Sequence, residues 1–184
     1  NGMRGLKIMI DKKKGSGLFQ YSTRTKDAEA TFPITGVAVL CMQLCGHVID
    51  PEARSGINAL KDLGFRWTKG DTAAQDQRGM GEWPIYGWYY ITQARFQQGG
   101  KTWSSWNKQF APALCNMQNK DGSWCPAPNS TEGSYGPVYC TALATLMLEV
   151  YYRFLPTYQP IEAEKGPAPE KGQEKEEEIT IKFG

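Results

Sequence analysis

The chain has 184 residues, of which 40% are hydrophobic and 22% are charged, and its formal net charge is +2. This composition suits one domain with a substantial apolar core, and the small net charge argues against a nucleic-acid-binding surface. The charge is unevenly distributed, because the residues from 159 onward include 4 Lys and 7 Glu, a net charge of −3, which leaves +5 for residues 1–158.

The N-terminal segment predicts the end of a helix. Residues 6–10 (LKIMI) resemble the last turns of an amphipathic outer helix whose inner partner is missing, and no signal-peptide pattern precedes them. We therefore expect the sequence to begin within a structural repeat. The cellular compartment stays undetermined.

Three apolar stretches begin with a proline and have nearly the same sequence. They are residues 33–36 (PITG), 84–87 (PIYG) and 137–140 (PVYC), spaced 51 and 53 residues apart. Proline suits the first helical turn, because its missing N–H would have no intrahelical partner there. The residues that follow are apolar nearly all round, which is typical of buried helices. The sequence therefore predicts three inner helices in a tandem repeat.

More polar segments lie between the inner helices, at residues 51–63 and 105–118. Their apolar side chains recur at three- and four-residue steps, as expected for amphipathic helices. These side chains are Ile57, Leu60 and Leu63 in the first segment and Phe110, Leu114 and Met117 in the second. We interpret both segments as outer helices. Glycines at 46, 64, 99 and 100 lie where the helices should end.

A glycine, one residue and an aromatic residue recur before each proline, at residues 17–19 (GLF), 81–83 (GEW) and 122–124 (GSW). The third copy extends to residues 118–124 (QNKDGSW), which resembles the QW motif of the squalene cyclase and prenyltransferase repeat family. The inner-helix sequence that follows is also similar to this family. The resemblance covers roughly residues 5–158 and implies an α/α toroid, with inner helices around an axis and outer helices surrounding them.

We therefore predict an all-α fold of toroid-type helical hairpin repeats over residues 1–158. It would contain about three inner and two to three outer helices, which is roughly half of the closed toroid that the family forms. A repeat unit without its neighbour leaves an apolar face uncovered. We expect another protein chain, a missing N-terminal half or a self-associated copy to cover that face.

The candidate site residues fall into two groups. The QW-motif residues are expected to be structural, because a turn with a buried aromatic ring holds neighbouring helices together. They are Gln118, Asp121, Gly122 and Trp124. Aromatic residues near the starts of the inner helices are candidates for lining a central cavity that binds a hydrophobic ligand, and the alternative that we favour is that they fill a narrow core. They are Tyr86, Trp88, Tyr89, Tyr90, Tyr135 and Tyr139.

No catalytic residue is predicted. The resemblance implies an aspartate-rich motif in triterpene cyclases, and the sequence contains none. Asp71 and Asp76 fit a polar loop, and we expect Glu132 to be an exposed loop carboxylate with an ordinary pKa of about 4. Such a group would be ionised at neutral pH and too weak an acid to protonate an alkene.

No metal and no cofactor is predicted. The resemblance implies a zinc site in protein prenyltransferases, but here His47 accompanies only Cys41 and Cys45, without the spacing of a structural zinc site. Buried cysteines commonly act as small apolar residues. Reduced thiols are the default, and a bridge between Cys115 and Cys125 remains an alternative if the protein is exported.

The composition changes near residue 156. Residues 159–184 are rich in Pro, Glu and Lys and predict a disordered acidic tail or linker. Residues 179–183 (ITIKF) alternate like a strand, but five residues do not form a sheet alone. The apolar stretch at 138–155 contains Glu149 and Arg153, so it does not fit a transmembrane span.

Two functions remain open. The chain could be a non-catalytic, cyclase-like repeat domain that acts as a binding or assembly module within a larger protein or complex. It could instead be the C-terminal half of a terpene cyclase of the squalene/hopene type, with its catalytic acid outside this chain.

Overall fold

The computed structural model describes residues 2–10, 16–24, 29–67, 80–125 and 131–152. These ranges contain six α-helices: α1 Gly2–Lys7, α2 Phe32–Leu44, α3 Pro51–Ala59, α4 Pro84–Gln98, α5 Gly100–Asn116 and α6 Gly136–Leu148. Two 3₁₀ turns flank α6, at Thr131–Tyr135 and Glu149–Tyr152. Strands β1 Phe19–Gln20 and β2 Ala30–Thr31 form a small antiparallel sheet. The described part of the chain is therefore mostly helical.

The prediction that the three prolines begin helices is confirmed. Pro33, Pro84 and Pro137 each lie at the first or second position of α2, α4 and α6. In α2 the Thr31 hydroxyl also accepts a hydrogen bond from the Ile34 N–H at 3.5 Å, which caps a free amide of the first turn. The three apolar repeats thus begin helices at equivalent positions.

The three proline-opened helices lie side by side in chain order. Helix α2 packs on α4, and α4 packs on α6; we call this arrangement the proline-opened row. The amphipathic helices lie against the row, α3 on α2 and α5 on α4. The row thus connects all three repeats.

Glycine sets the spacing between α2 and α4. A Cβ on Gly36 would lie 2.9 Å from the Ile91 Cγ1, and one on Gly87 would lie 2.7 Å from the Pro33 Cγ. These two glycines occupy the same repeat position, 51 residues apart. Glycine at this position therefore lets the two helices approach more closely than any larger residue would.

The largest apolar cluster is formed mainly by α4, α5 and α6 and includes the C-terminal end of α3. It buries Leu60, Ile85, Trp88, Trp106, Phe110, Leu114 and Met147, among others. A second cluster joins Phe19 and Ala53 to α2, with α1 covering one side. Each cluster connects elements that are distant in the sequence, so folding depends on packing between repeats.

Arg95 links α4 to the end of α3. Its side chain is 2% exposed, and its Nη2 donates hydrogen bonds to the carbonyl oxygens of Leu60 and Leu63, the latter at 3.2 Å. The guanidinium carbon lies 4.3 Å from the centre of the Trp106 ring. Burial lowers the pKa of Arg95 to about 10, so the side chain stays charged at neutral pH and binds the carbonyl of Leu60, the C-cap residue of α3, and that of Leu63 beyond the helix.

The structure corrects some predicted boundaries. Helix α1 ends at Lys7, and Ile10 instead forms a β-bridge with Phe19. The sheet was not predicted, since its strands have two residues each; it pairs backbone groups around the buried Phe19. The two helices predicted as outer helices run over Pro51–Ala59 and Gly100–Asn116 rather than 51–63 and 105–118.

Two helix ends confirm the glycine prediction. Gly46, with φ of +80°, follows α2, and the 2.8 Å bond from the His47 N–H to the Met42 carbonyl closes the helix. Gly99 is the residue between α4 and α5.

Among the described helices, none is long and apolar enough to cross a membrane. The tail residues 159–184 lie outside the described ranges.

Candidate functional site

The QW-motif residues form a tight turn after α5. The Gln118 Nε2 donates to the Gly122 carbonyl at 2.9 Å, and Gly122 has φ of +83°. The Asp121 Oδ1 accepts hydrogen bonds from the Ser123 N–H at 3.0 Å and the Ser123 hydroxyl at 2.7 Å, which lowers the pKa of Asp121. The side chains of this turn thus form hydrogen bonds mainly with other groups of the same turn.

Trp124 connects this turn to two helices. Its ring is 4% exposed, its Nε1 donates to the Leu114 carbonyl on α5 at 2.8 Å, and its N–H donates to the Thr141 hydroxyl on α6 at 3.0 Å. Phe19 repeats the second contact, since its N–H donates to the Thr35 hydroxyl on α2 at 2.9 Å. The same contact, a hydrogen bond from the N–H of an aromatic residue to a threonine hydroxyl, therefore occurs at α2 and at α6.

The aromatic residue in the middle copy of the motif lies in a different place. Trp83, in residues 81–83 (GEW), directly precedes α4 and is 38% exposed. The buried aromatic residue after α3 is instead Phe65, whose ring centroid lies 5.2 Å from that of Trp88. Sequence reasoning missed Phe65. The sequence signal that could have revealed Phe65 is the similarity of residues 61–65 (KDLGF) to residues 120–124 (KDGSW).

Three of the tyrosine candidates lie together on α4. The ring centroids of Tyr86 and Tyr90 are 4.7 Å apart, and those of Tyr89 and Tyr90 are 5.0 Å apart. All three side chains are half-buried. Burial raises the pKa of Tyr86, so its hydroxyl stays protonated at neutral pH.

Trp88 lies apart from these tyrosines, inside the largest apolar cluster. It is 2% exposed, and its ring centroid is 5.7 Å from that of Trp106 on α5. Its position matches the alternative in which an aromatic candidate fills the core. The structure therefore does not bring all six candidates to one surface.

The remaining two candidates lie at the start of α6. Tyr135 and Tyr139 have ring centroids 5.4 Å apart, and Tyr135 also lies 5.7 Å from Trp83. Tyr135 is 53% exposed, whereas Tyr139 is half-buried. Burial chiefly, with smaller electrostatic contributions from Glu132 and Tyr86 among others, raises the pKa of Tyr139. These aromatic residues thus extend the α4 group towards α6.

Glu132 contacts the backbone at the start of α4. It is fully buried, and its two carboxylate oxygens accept hydrogen bonds from the N–H groups of Ile85 at 2.9 Å and Tyr86 at 2.8 Å. Burial raises the pKa of Glu132 to about 7, although these hydrogen bonds oppose the shift. The prediction of an exposed carboxylate with an ordinary pKa is therefore wrong. No local signal reveals the contact, because Glu132 caps amides more than forty residues earlier in the chain.

One side of α6 exposes apolar residues to solvent. Val138 is 81% exposed, and Ala142 and Thr145 are also exposed at the four- and three-residue steps that place side chains on one helix face. Tyr135 and Tyr152, 53% and 64% exposed, lie near the two ends of this face. With the half-buried Glu149, we call these six residues the α6 stripe.

The equivalent face of α4 is covered. With the 53-residue spacing, Val138 and Thr145 correspond to Ile85 and Thr92, which are 2% and 0% exposed. The Thr92 hydroxyl contacts the Met147 sulfur on α6 at 3.7 Å. These two repeat positions are therefore buried on α4 but exposed to solvent on α6.

The polar candidates that the structure describes lie apart from one another. His47 Nδ1 lies 2.9 Å from the Asp50 Oδ2, which also pairs with Lys7 at 2.6 Å near the surface. The five cysteines are free thiols, and Cys140 alone is buried. Within the described ranges, no group of three or more His, Cys, Asp or Glu could hold a metal ion. Asp71 and Asp76 lie outside those ranges.

The contacts that join elements distant in the chain are therefore those of Trp124 and Glu132, whereas the α6 stripe is exposed to solvent. Comparison with protein-family models, with curated proteins and with solved structures found no match to this chain.

Proposed function

We propose that this chain is a squalene-cyclase-like helical repeat domain that acts as a non-catalytic binding or assembly module. One observation carries the proposal, the exposed α6 stripe. On α4 the positions equivalent to Val138 and Thr145 are buried, and Thr92 contacts Met147 of the next helix of the row, whereas on α6 these positions face solvent. Repeat proteins bury such a face against the next unit, so an open face favours completion by another protein.

The rest of the described structure supports a rigid scaffold. The carboxyl group of Glu132, which in its protonated form could have supplied a proton, is buried and accepts hydrogen bonds from two backbone amides. The motif residues around Trp124 bond to the turn and its neighbouring helices. These contacts support our proposal of a partial toroid whose open end binds another chain.

Sedimentation velocity of the purified chain over the micromolar range tests this proposal. We expect an oligomer or a stable complex, because the stripe leaves apolar surface in water. A compact monomer with a cooperative thermal transition would contradict the proposal, since it would show that the repeats need no partner.

A specific observation favours a second candidate function. The half-buried tyrosines Tyr86, Tyr89, Tyr90 and Tyr139 lie at or near the starts of α4 and α6, where rings could stabilise a cationic intermediate. This arrangement suits the C-terminal half of a terpene cyclase whose acid lies elsewhere. Intact mass and N-terminal sequencing of the native protein separate the two candidates, because the enzyme requires an upstream aspartate-rich motif.

A further inference from the structure

We propose that Cys125 and Cys140 are a redox pair, and that a small-molecule disulfide oxidises them to a bridge between the turn after α5 and helix α6. Both are free thiols in the structure, Cys125 exposed and Cys140 buried. Neither thiol belongs to the α6 stripe or to the aromatic candidates, so this modification goes beyond the proposed function and does not depend on it.

The contact between the turn and α6 brings the two cysteines together. The Trp124 N–H donates to the Thr141 hydroxyl at 3.0 Å. Cys125 and Cys140 are each one residue, about 3.8 Å of chain, from this hydrogen bond. Burial chiefly, followed by the charges of Glu132 and Cys125, raises the pKa of Cys140 to about 12, so the two thiols lie within electrostatic reach of each other. This placement suits a disulfide, which requires Cα atoms within about 7 Å.

The Trp124 ring separates Cys125 from the nearest cysteine in sequence, Cys115. The ring Nε1 donates to the Leu114 carbonyl on α5 at 2.8 Å, whereas the backbone N–H of Trp124 donates to α6. The chain therefore lies on the α6 side of the ring when it continues to Cys125. This geometry favours Cys140 over Cys115 as the partner of Cys125.

The two thiols differ in access to solvent, and this difference sets their order of reaction. Cys125 is exposed, and its Sγ accepts a 3.1 Å hydrogen bond from the Asn119 Nδ2, which water can replace when the side chain turns away. Cys140 is 0% exposed, and its raised pKa keeps it protonated, whereas the thiolate is the reactive form. A disulfide reagent therefore reacts with Cys125 first.

Two thiol–disulfide exchanges form the bridge. In the first, the Cys125 thiolate attacks one sulfur of the reagent, the new S–S bond forms, the S–S bond of the reagent breaks, and one reagent thiolate leaves. In the second, Cys140 gives its proton to water during a local opening of the turn and attacks the Cys125 sulfur, which releases the second reagent thiolate. Two protein thiols are thus oxidised, and one reagent disulfide is reduced to two thiols.

Oxidation of the full chain with oxidised glutathione tests the pairing. The remaining thiols are alkylated, and the chain is cleaved after lysine, arginine and glutamate, which separates residues 121–132 from residues 133–149 and from residues 109–120. We expect the cross-link between 121–132 and 133–149, read by mass spectrometry, to be roughly tenfold or more as abundant as the cross-link between 109–120 and 121–132.

Cysteine variants assign the order of the two steps. Cys125→Ser should abolish the bridge, whereas Cys140→Ser should stop the reaction at Cys125 with the added mass of one glutathione. Cys115→Ser is the matched control and should leave the yield of the bridge within about twofold. Circular dichroism establishes that each variant is folded, and Cys140→Ala replaces Cys140→Ser if the latter is not.

Oxidation in urea tests whether the fold directs the pairing. Cys115 and Cys140 lie 10 and 15 residues from Cys125, so the cost of loop closure in the unfolded chain differs little between them. The preference for Cys140 should therefore disappear in urea. A preference that persists there, a native bridge between Cys115 and Cys125, or a folded chain that stops at the Cys125 adduct would overturn the proposal. These outcomes are distinct from the oligomeric state that tests the proposed function.

Discussion

At the scale of single residues, Glu132 connects two repeats through one side chain. It belongs to the 3₁₀ turn before α6, yet it accepts hydrogen bonds from the first amides of α4. A helix N-terminus leaves such amides unpaired and carries partial positive charge, which favours a carboxylate. Burial acts in the opposite direction and dominates, raising the pKa of Glu132 to about 7.

This pKa predicts a specific dependence of stability on pH. Because the folded-state pKa lies above the ordinary value of 4.5, the stabilising contribution is fully present below about pH 4.5 and is lost as pH rises through about 7. The free energy of unfolding should therefore fall over this window, by up to roughly 3 kcal/mol, relative to Glu132→Gln. Urea denaturation of both proteins at several pH values measures this difference. A constant difference from pH 4.5 to 8 would be inconsistent with a titrating Glu132.

Trp124 gives a second prediction at the same scale. Trp124→Ala should lower the free energy of unfolding by roughly 3–5 kcal/mol, because it removes a large buried ring and its bond to the Leu114 carbonyl. Trp124→Phe is the matched variant and should lose less, since it keeps an aromatic ring. A loss below about 1 kcal/mol for the alanine variant, measured by chemical denaturation, would show that the turn does not hold α5 to α6.

At the scale of elements, the α2–α4 junction limits what can replace glycine. Gly36→Ala should destabilise the protein by about 1–3 kcal/mol, since the new Cβ would lie 2.9 Å from the Ile91 Cγ1 and 3.0 Å from the Ile91 nitrogen. Gly5→Ala on α1 is the control, because nothing lies within 4 Å of that position. The control should be neutral or slightly stabilising, as alanine favours helix over glycine.

Thermal and urea unfolding of these two variants measure the difference between them. Equal stability of the two alanine variants would mean that the helices can separate at the junction without loss. In that case the spacing of the proline-opened row would not depend on Gly36.

At the scale of the whole molecule, alkene protonation would need a strong acid in an accessible position. The one buried carboxylate with a strongly raised pKa, Glu132, is bonded to the α4 backbone. We expect no cyclic product when the purified chain is incubated with squalene or oxidosqualene, and no zinc in its metal analysis. Gas chromatography of the extracts tests the first expectation. A cyclic product that disappears in Glu132→Ala or Asp76→Ala would support the enzyme instead.

The sequence by itself determined the local features of this protein. Proline fixes the backbone angle of a first helical turn, so the starts of α2, α4 and α6 followed from residues 33, 84 and 137. Gly46 and Gly99 likewise marked helix ends, because glycine tolerates positive φ. These properties depend on neighbouring residues alone, which is why they could be predicted.

Tertiary structure decided which residues meet across repeats. Glu132 reached the amides of α4, Phe65 rather than Trp83 filled the core after α3, and Val138 stayed exposed in an apolar helix. Each outcome depends on helix packing between residues far apart in the chain, which periodicity does not encode. Burial then set the pKa of Glu132, since the free energy of a charge depends on the surrounding solvent and dipoles rather than on its sequence neighbours.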